Sequence, residues 1–241
     1  MEMEKQQTPG QPPKINMQTV GELSRQLLRK RTSKVAFRLN MTLEWAYYYL
    51  TAHYVTEVNH RGLEYIDSPN TRVAIYSLAK ELTSTNPRCG VMLCGTCGNG
   101  KTTLVHALRE FIWELRVKNH FKFMGEYFVP ELRIFDAKDL LRKFNNKDDW
   151  RTVNDLDLVA IDDFGKEPTE VLEYGNPRSP LVDLLEQRYQ RQKFTIITTN
   201  LAPNEMEAKY GARLADRFRE MFEVIAFEFG SYRGKSERRQ T

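Results

Sequence analysis

Eight consecutive residues, 95–102, have the types and spacing of a loop that binds phosphate groups. They read Gly-Thr-Cys-Gly-Asn-Gly-Lys-Thr and fit the pattern G-x-x-x-x-G-K-[ST] at every fixed position. Glycines let backbone N–H groups approach phosphates closely at the start of the following helix. Lys101 is expected to reach the β- and γ-phosphates of ATP, and the Thr102 hydroxyl to bind Mg²⁺. The predicted nucleotide-contacting residues are Gly95, Thr96, Cys97, Gly98, Asn99, Gly100, Lys101, Thr102 and Thr103.

Two adjacent carboxylates close a nearly continuous apolar run over residues 156–161. Asp162 is expected to hold the Mg²⁺ shell, directly or through water. Asp163 is expected to orient or deprotonate the attacking water. Two carboxylates at the end of a buried strand are unfavourable without a cation, although a surface turn is the alternative interpretation.

Three further polar residues come later in the chain. Asn200 ends an apolar run and is a candidate for contacting the γ-phosphate and the water, with a turn before Pro203 as the alternative. Arg213 and Arg217 are four residues apart, which places them on one helix face. An arginine there can stabilise transition-state charge, but ordinary solvated arginines would have the same spacing.

Apolar periodicity predicts strands and helices that alternate along the chain. This alternation predicts an α/β fold, a parallel sheet flanked by helices. The predicted strands cover residues 90–94, 132–135, 156–161, 194–199 and 224–229. The predicted helices cover residues 18–58 (one or two helices), 71–83, 101–116, 137–144, 180–191 and 211–221.

Composition excludes several protein classes. Of the 241 residues 41% are hydrophobic and 28% charged, which is ordinary for a globular protein. No apolar run approaches the roughly 18 residues of a membrane span, and the first residues lack a signal-peptide core, so we expect a cytoplasmic protein. Cys94 and Cys97 have C-x-x-C spacing, but no second Cys or His pair follows, which argues against zinc. Basic residues cluster at 14–38 and 230–241. Such clusters are typical of surfaces that bind a polyanion or an acidic partner, and ordinary solvated charge on helix surfaces is the alternative.

In their order, these motifs resemble the AAA+ ATPases of the DnaC-type helicase loaders and their IstB-type transposition relatives. The matching segments are GTCGNGKTT (95–103), RIFDAKDLL (133–141), VAIDDFGKE (159–167), LLEQRYQRQKFTIITTNL (184–201), YGARLADRF (210–218) and SYR (231–233). The resemblance implies a P-loop NTPase (AAA+) sheet, ATP hydrolysis with Mg²⁺, single-stranded DNA binding and ATP-dependent homo-oligomers. The resemblance assigns sensing of the γ-phosphate to Asn200. It assigns to Arg217 the role of an arginine finger that acts on a neighbouring subunit, with Arg213 as the weaker candidate for that role.

The implied organisation is a disordered tail (1–16), a helical N-terminal module (17–84), an AAA+ ATPase domain (85–233) and a basic tail (234–241). The expected function is loading of a replicative helicase in DNA replication. A transposition helper that works with a transposase is the first alternative, and a P-loop small-molecule kinase is an alternative of another class. Aromatic residues of the N-terminal module, such as Trp45 and Tyr48, suggest that it docks a protein partner.

Overall fold

Strands and helices alternate through most of the chain, as the apolar periodicity predicts. A computed structural model describes residues 16–30, 36–117, 131–173 and 176–227. The helices described are α1 (Met17–Lys30), α2 (Leu43–His60), α3 (Pro69–Thr83), α4 (Lys101–Val117), α5 (Ala137–Lys143), α6 (Lys147–Asp155), α7 (Pro180–Gln190), α8 (Pro203–Tyr210) and α9 (Ala212–Met221). The strands described are β1 (Gly90–Gly95), β2 (Leu132–Asp136), β3 (Leu158–Phe164), β4 (Val171–Glu173), β5 (Asn176–Arg178), β6 (Phe194–Thr199) and β7 (Phe222–Phe227).

Five of the strands form a parallel sheet in the order β2-β3-β6-β1-β7. Cys94 of β1 lies beside Thr199 of β6, so both strands end at the same edge. The register between β3 and β6 shifts between Ile161 and Phe164, which places an irregularity at the two carboxylates. The parallel sheet therefore brings the ends of β1, β3 and β6 together, which the functional motifs require.

The core has one layer on each face of the sheet, because successive strand residues point to opposite faces. Val91 and Leu93 pack into a cluster with α2, α3 and α4, whereas Met92 packs with α5, α7 and α9. Both faces of the central strands are covered, so all six residues of β6 and five of the six residues of β1 are buried.

The division of the chain differs from the predicted one. The structure separates Met1–Val35 from Ala36–Thr241, so α2 and α3 lie in the same unit as the phosphate-binding loop. Leu50 of α2, Leu78 of α3 and Phe111 of α4 are fully buried in one cluster. Burying each such side chain contributes roughly 1.5–3 kcal/mol, so the two helices are part of the core layer and not a separate module. A boundary at residues 84 and 85 would cut through that core.

Several elements were not predicted. The helix predicted over 18–58 is two helices, and α2 begins after Thr42, whose hydroxyl accepts from the Trp45 N–H at 3.4 Å. Helices α6 and α8 and the hairpin β4–β5 are absent from the prediction because they contain few apolar residues. Ser68 caps α3 by accepting from the Thr71 N–H at 3.2 Å. The predicted tails, apart from Asn16, lie outside the described residues.

Helix α1 belongs to the first unit. The Asn16 side chain accepts from the Gln18 N–H at 3.0 Å at its start, and Val20 and Leu23 are exposed. Among the helices of the described ranges, none combines the length and the apolar character needed to cross a membrane.

Candidate functional site

The predicted phosphate-binding loop connects the end of β1 to the first residue of α4. Its glycines Gly95, Gly98 and Gly100 have φ angles of +145°, +81° and +96°, a region that side chains disfavour. A Cβ atom on Gly100 would also collide with the Tyr54 hydroxyl of α2. The loop therefore requires glycine for its backbone shape and for close packing under α2.

Lys101 is surrounded by oxygen atoms of the loop and of β6. Its Nζ donates to the carbonyl oxygens of Gly95 (2.6 Å) and Thr96 (2.8 Å) and to the side-chain oxygens of Asn99 (3.2 Å) and Asn200 (2.9 Å). Burial lowers the pKa of this ammonium group, and the nearby acids partly oppose that effect. The structure thus brings the predicted residue Asn200 into direct contact with the predicted phosphate-binding lysine.

Asn99 connects the loop to the last strand. It is 1% exposed, and its Nδ2 donates to the Phe227 carbonyl oxygen at 3.0 Å. Its Oδ1 accepts from Lys101. A single amide therefore fixes both the end of β7 and the lysine, a structural role that the loop pattern does not reveal.

Asp162 lies beside the first turn of α4. Its carboxylate accepts from the Thr102 hydroxyl at 2.9 Å and from the Thr198 hydroxyl at 2.5 Å. Oxygen ligands of this kind suit Mg²⁺. In the part of the chain that the structure describes, no group of three or more His, Cys, Asp or Glu residues is arranged to hold a metal. The hydroxyl of Thr102 and the carboxylate of Asp162 are oxygen donors that fit a Mg²⁺ ion, which usually takes its other ligands from water and phosphate.

Asp163 has an unusual backbone conformation. Its φ is +58°, in the left-handed region that non-glycine residues rarely adopt. Its N–H donates to the Thr198 hydroxyl at 2.9 Å, and its carboxylate accepts from Lys166 Nζ at 2.6 Å. This conformation turns consecutive residues Asp162 and Asp163 to different partners, and such outliers concentrate at functional sites.

A cavity of about 650 Å³ lies beside the loop and includes Lys101, Thr102, Asp163 and Asn200 in its wall. The opposite wall comes from α2 and the segment that leads to α3. Its members in that region are Tyr54, Val58, Arg61, Leu63, Glu64, Tyr65, Ile66 and Thr71. Burial and the neighbouring Asp67 raise the pKa of Tyr65 to about 12. The residues of this wall could not be predicted, because nothing in their types or spacing is typical of a nucleotide contact.

Known proteins give information about the fold. No protein-family model matches the chain, and no curated protein matches its sequence. The crystal structure of the DnaC helicase loader is similar with a TM-score of 0.50 and 20% identity, covering 67% of this chain and 92% of that one. Domain III of the Thermotoga maritima replication initiation protein DnaA is similar with a TM-score of 0.50 and 15% identity, covering 69% and 65%. The chain has the AAA+ fold. At these identities the likeness concerns the fold alone.

Among the other predicted residues of this AAA+ fold, Thr103 is buried and Cys97 is exposed beside the cavity. Arg217 lies on α9 and pairs with Glu186 of α7 at 3.1 Å, outside the residues that line the cavity. Arg213 lies on the same helix, but its side chain is outside the described residues. The structure therefore does not bring Arg217 to the cavity beside the predicted phosphate loop of its own chain.

Arg188 is a buried residue of the AAA+ core whose role the sequence did not reveal. It is 0% exposed, and its guanidinium donates to the Thr195 hydroxyl (2.9 Å) and to four carbonyl oxygens. Those oxygens belong to Val153, Leu156, Asp157 and Phe194. Burial lowers its pKa to about 10. Arg188 thus joins the end of α6 to the starts of β3 and β6, at the edge opposite the phosphate loop.

Proposed function

We propose that this chain binds ATP with Mg²⁺ and hydrolyses it, as a subunit of an ATP-dependent homo-oligomer that acts in DNA replication. The observation that carries the ATPase proposal is the convergence of five polar residues at one edge of the sheet. Lys101 and Thr102 begin α4, Asp162 and Asp163 lie at the end of β3, and Asn200 follows β6. Hydrogen bonds or sequence adjacency join all five.

Each residue has a distinct task in the proposed reaction. Lys101 and the loop N–H groups bind the β- and γ-phosphates. Thr102 and Asp162 hold Mg²⁺, which supplies positive charge next to the phosphate oxygens. Asp163 accepts the proton of the attacking water, and Asn200 orients that water next to Lys101. The wall from α2 and the segment that follows it, including Tyr54 and Tyr65, suits the base and ribose.

ATP binding and phosphate release by the purified protein test this proposal. Release of phosphate without a small-molecule acceptor supports hydrolysis, whereas transfer only to an acceptor indicates a kinase. Lys101→Ala is expected to abolish productive ATP binding because it removes the cation from the phosphate site. Lys80→Ala, which changes an exposed lysine of α3, is the matched control. Wild-type affinity in Lys101→Ala contradicts the site assignment.

Assembly is proposed from Arg217. The site has its cation, carboxylates and amide within one chain, but charge that develops on the γ-phosphate benefits from a further cation. Arg217 pairs with Glu186 and does not line the cavity of its own chain, which supports action on a neighbouring subunit. One active site would then be built from two subunits.

A mixing experiment tests this arrangement. Arg217→Ala should bind ATP but hydrolyse it slowly, and adding Lys101→Ala protein should restore activity, because that subunit still donates Arg217. Arg219→Ala, an exposed arginine on the same helix, is the matched control. Mixed mutants that never complement, or activity per subunit that stays constant on dilution, refute the in-trans role.

The role in replication is proposed from two observations, the motif resemblance and the likeness of fold to the DnaC helicase loader. We infer that the partner is a replicative helicase and that single-stranded DNA is bound through basic residues. Co-purification from native cells tests the partner, and recovery of a transposase in place of a helicase would favour the transposition alternative.

A further inference from the structure

We propose that Glu167, Lys209 and Tyr210 are positioning residues that hold the loop of Asp163 in the geometry for hydrolysis. This inference rests on the proposed function, since it concerns how the proposed base Asp163 is oriented. None of the three residues lines the cavity, so their action would pass through the loop that follows β3.

The loop of residues 163–167 needs support because its backbone is unusual. Asp163 and Gly165 have φ angles of +58° and +99°. A Cβ atom on Gly165 would collide with Leu201, so the glycine is required there. A non-glycine residue in the left-handed region is unfavourable and persists only where its surroundings hold it. The contacts of this loop therefore determine where the Asp163 carboxylate lies.

Glu167 supplies one of those contacts from inside the loop. It is 3% exposed, although carboxylates are rarely buried so deeply. One oxygen accepts from the Gly165 N–H at 2.8 Å, and the other accepts from the Tyr210 hydroxyl of α8. Burial and this hydrogen bond raise the pKa of Tyr210, so its hydroxyl stays a donor. The buried carboxylate thus joins the loop to the last residue of α8.

Lys209 makes a second connection from α8. Its Nζ donates to the Gly165 carbonyl oxygen and, at 2.9 Å, to the Glu167 carbonyl oxygen. The Phe164 ring stacks on the Tyr210 ring with centroids 5.1 Å apart. Two consecutive residues of α8 therefore contact three residues of the loop.

Helix α9 contributes to the same cluster. The Phe218 ring lies 5.8 Å from the Phe164 ring, centroid to centroid. Phe218 follows Arg217 directly, and only Gly211 separates α8 from α9. A movement of this helix pair would therefore shift both Arg217 and the loop of Asp163. The orientation of the proposed base Asp163 therefore depends on α8 and α9, and α9 also carries the proposed arginine finger Arg217.

The test compares two tyrosines that each donate to a glutamate. Tyr210→Phe removes the hydroxyl that holds Glu167, whereas Tyr189→Phe removes the hydroxyl that donates to Glu220 at 3.0 Å, away from the loop. We expect Tyr210→Phe to lower kcat about tenfold, since a hydrogen bond to a charged group is lost, with KM and ATP affinity unchanged. Amide exchange in residues 163–167 should become about tenfold faster, and Tyr189→Phe should change neither quantity.

Lys209→Met and Lys209→Arg give a second comparison that leaves every aromatic side chain of the cluster in place. The Lys209 Nζ also lies 5.5 Å from the centroid of the Tyr210 ring, and of the two variants only the arginine keeps a cation at this position. The methionine loses both carbonyl contacts and should lower kcat, whereas the arginine keeps a donor and should retain most of it. Wild-type kcat and wild-type exchange in both Tyr210→Phe and Lys209→Met overturn the inference, as does an equal loss of ATP affinity and kcat, which indicates general destabilisation. If wild type releases no phosphate, the proposed function fails, and amide exchange alone still decides whether the cluster holds the loop.

Discussion

Replacing Thr198 by valine is the substitution that most directly tests how the two carboxylates are arranged. The Thr198 hydroxyl donates to Asp162 at 2.5 Å and accepts from the Asp163 N–H at 2.9 Å, and the residue is 1% exposed. Valine exchanges the hydroxyl for a methyl group of similar size. The change therefore removes two hydrogen bonds at the site and creates little or no cavity.

The expected loss follows from those two bonds. A hydrogen bond to a charged carboxylate contributes about 1.5–3 kcal/mol, and a buried N–H without an acceptor costs about 1–3 kcal/mol. Relaxation of the Asp163 backbone out of the left-handed region offsets about 1–3 kcal/mol of this. We expect the free energy of unfolding to fall by about 2–3 kcal/mol. Because Asp163 then leaves its position, kcat should fall about 100-fold, equivalent to about 2.7 kcal/mol in the barrier.

Two assays measure these effects, urea unfolding for stability and phosphate release for kcat. Thr198→Ser is the matched control, because it keeps the hydroxyl and should retain most of both quantities. Thr198→Val with wild-type stability and wild-type kcat would refute the reasoning. A loss of stability with kcat unchanged would mean that Thr198 supports the fold and not the placement of Asp163.

Three other outcomes are expected. Asp163→Asn should keep ATP binding and lose most turnover, since an amide does not accept the proton of water; unchanged steady-state hydrolysis would make Asp163 a turn residue. Arg188→Leu should lower the free energy of unfolding by about 3–5 kcal/mol in urea unfolding, because buried carbonyl oxygens lose their donor; a change below about 1 kcal/mol would contradict the role seen for Arg188. Affinity for single-stranded DNA should fall steeply with salt in a fluorescence titration, because phosphate neutralisation releases counterions, and a flat response would exclude this electrostatic account.

The parallel α/β fold could be predicted because the central strands are buried on both faces and are nearly continuously apolar. The glycine-rich loop between a strand and a helix could also be predicted, because glycine, lysine and threonine at this spacing have few other uses. Phosphate binding by that loop stays a prediction. Helix α6 could not be predicted, since its residues 147–155 are mostly polar and its start depends on Asn146, whose side chain accepts from the Asp148 and Asp149 N–H groups. The placement of α2 was also missed, because aromatic residues along a helix do not show what they pack against.

The residues that support the site were less predictable than the residues that carry its chemistry. Thr198 was seen only as part of an apolar strand, and Glu167 only as part of a matching motif. Their roles arise from contacts between segments far apart in the chain, such as Glu167 with Tyr210, 43 residues later. Residue type and local spacing carry no signal for such pairs. A carboxylate at the end of an apolar run, such as Asp163, is visible in the sequence alone.

The position of β6 in the sheet explains how the parts of the site are kept in register. This strand lies between β3, which carries the carboxylates, and β1, which leads into the phosphate loop. Its end contacts both sides, because Thr198 and Thr199 bind the β3 loop through Asp162 and the Phe164 carbonyl oxygen, while Asn200 binds Lys101. Residues 198–200 thus fix the distance between Asp163, the proposed base, and Lys101, the proposed phosphate-binding cation. A strand at the edge of the sheet has a neighbour on one side only and could not contact both parts of the site. Strand β6 can contact both, because it lies between β3 with the carboxylates and β1 with the loop.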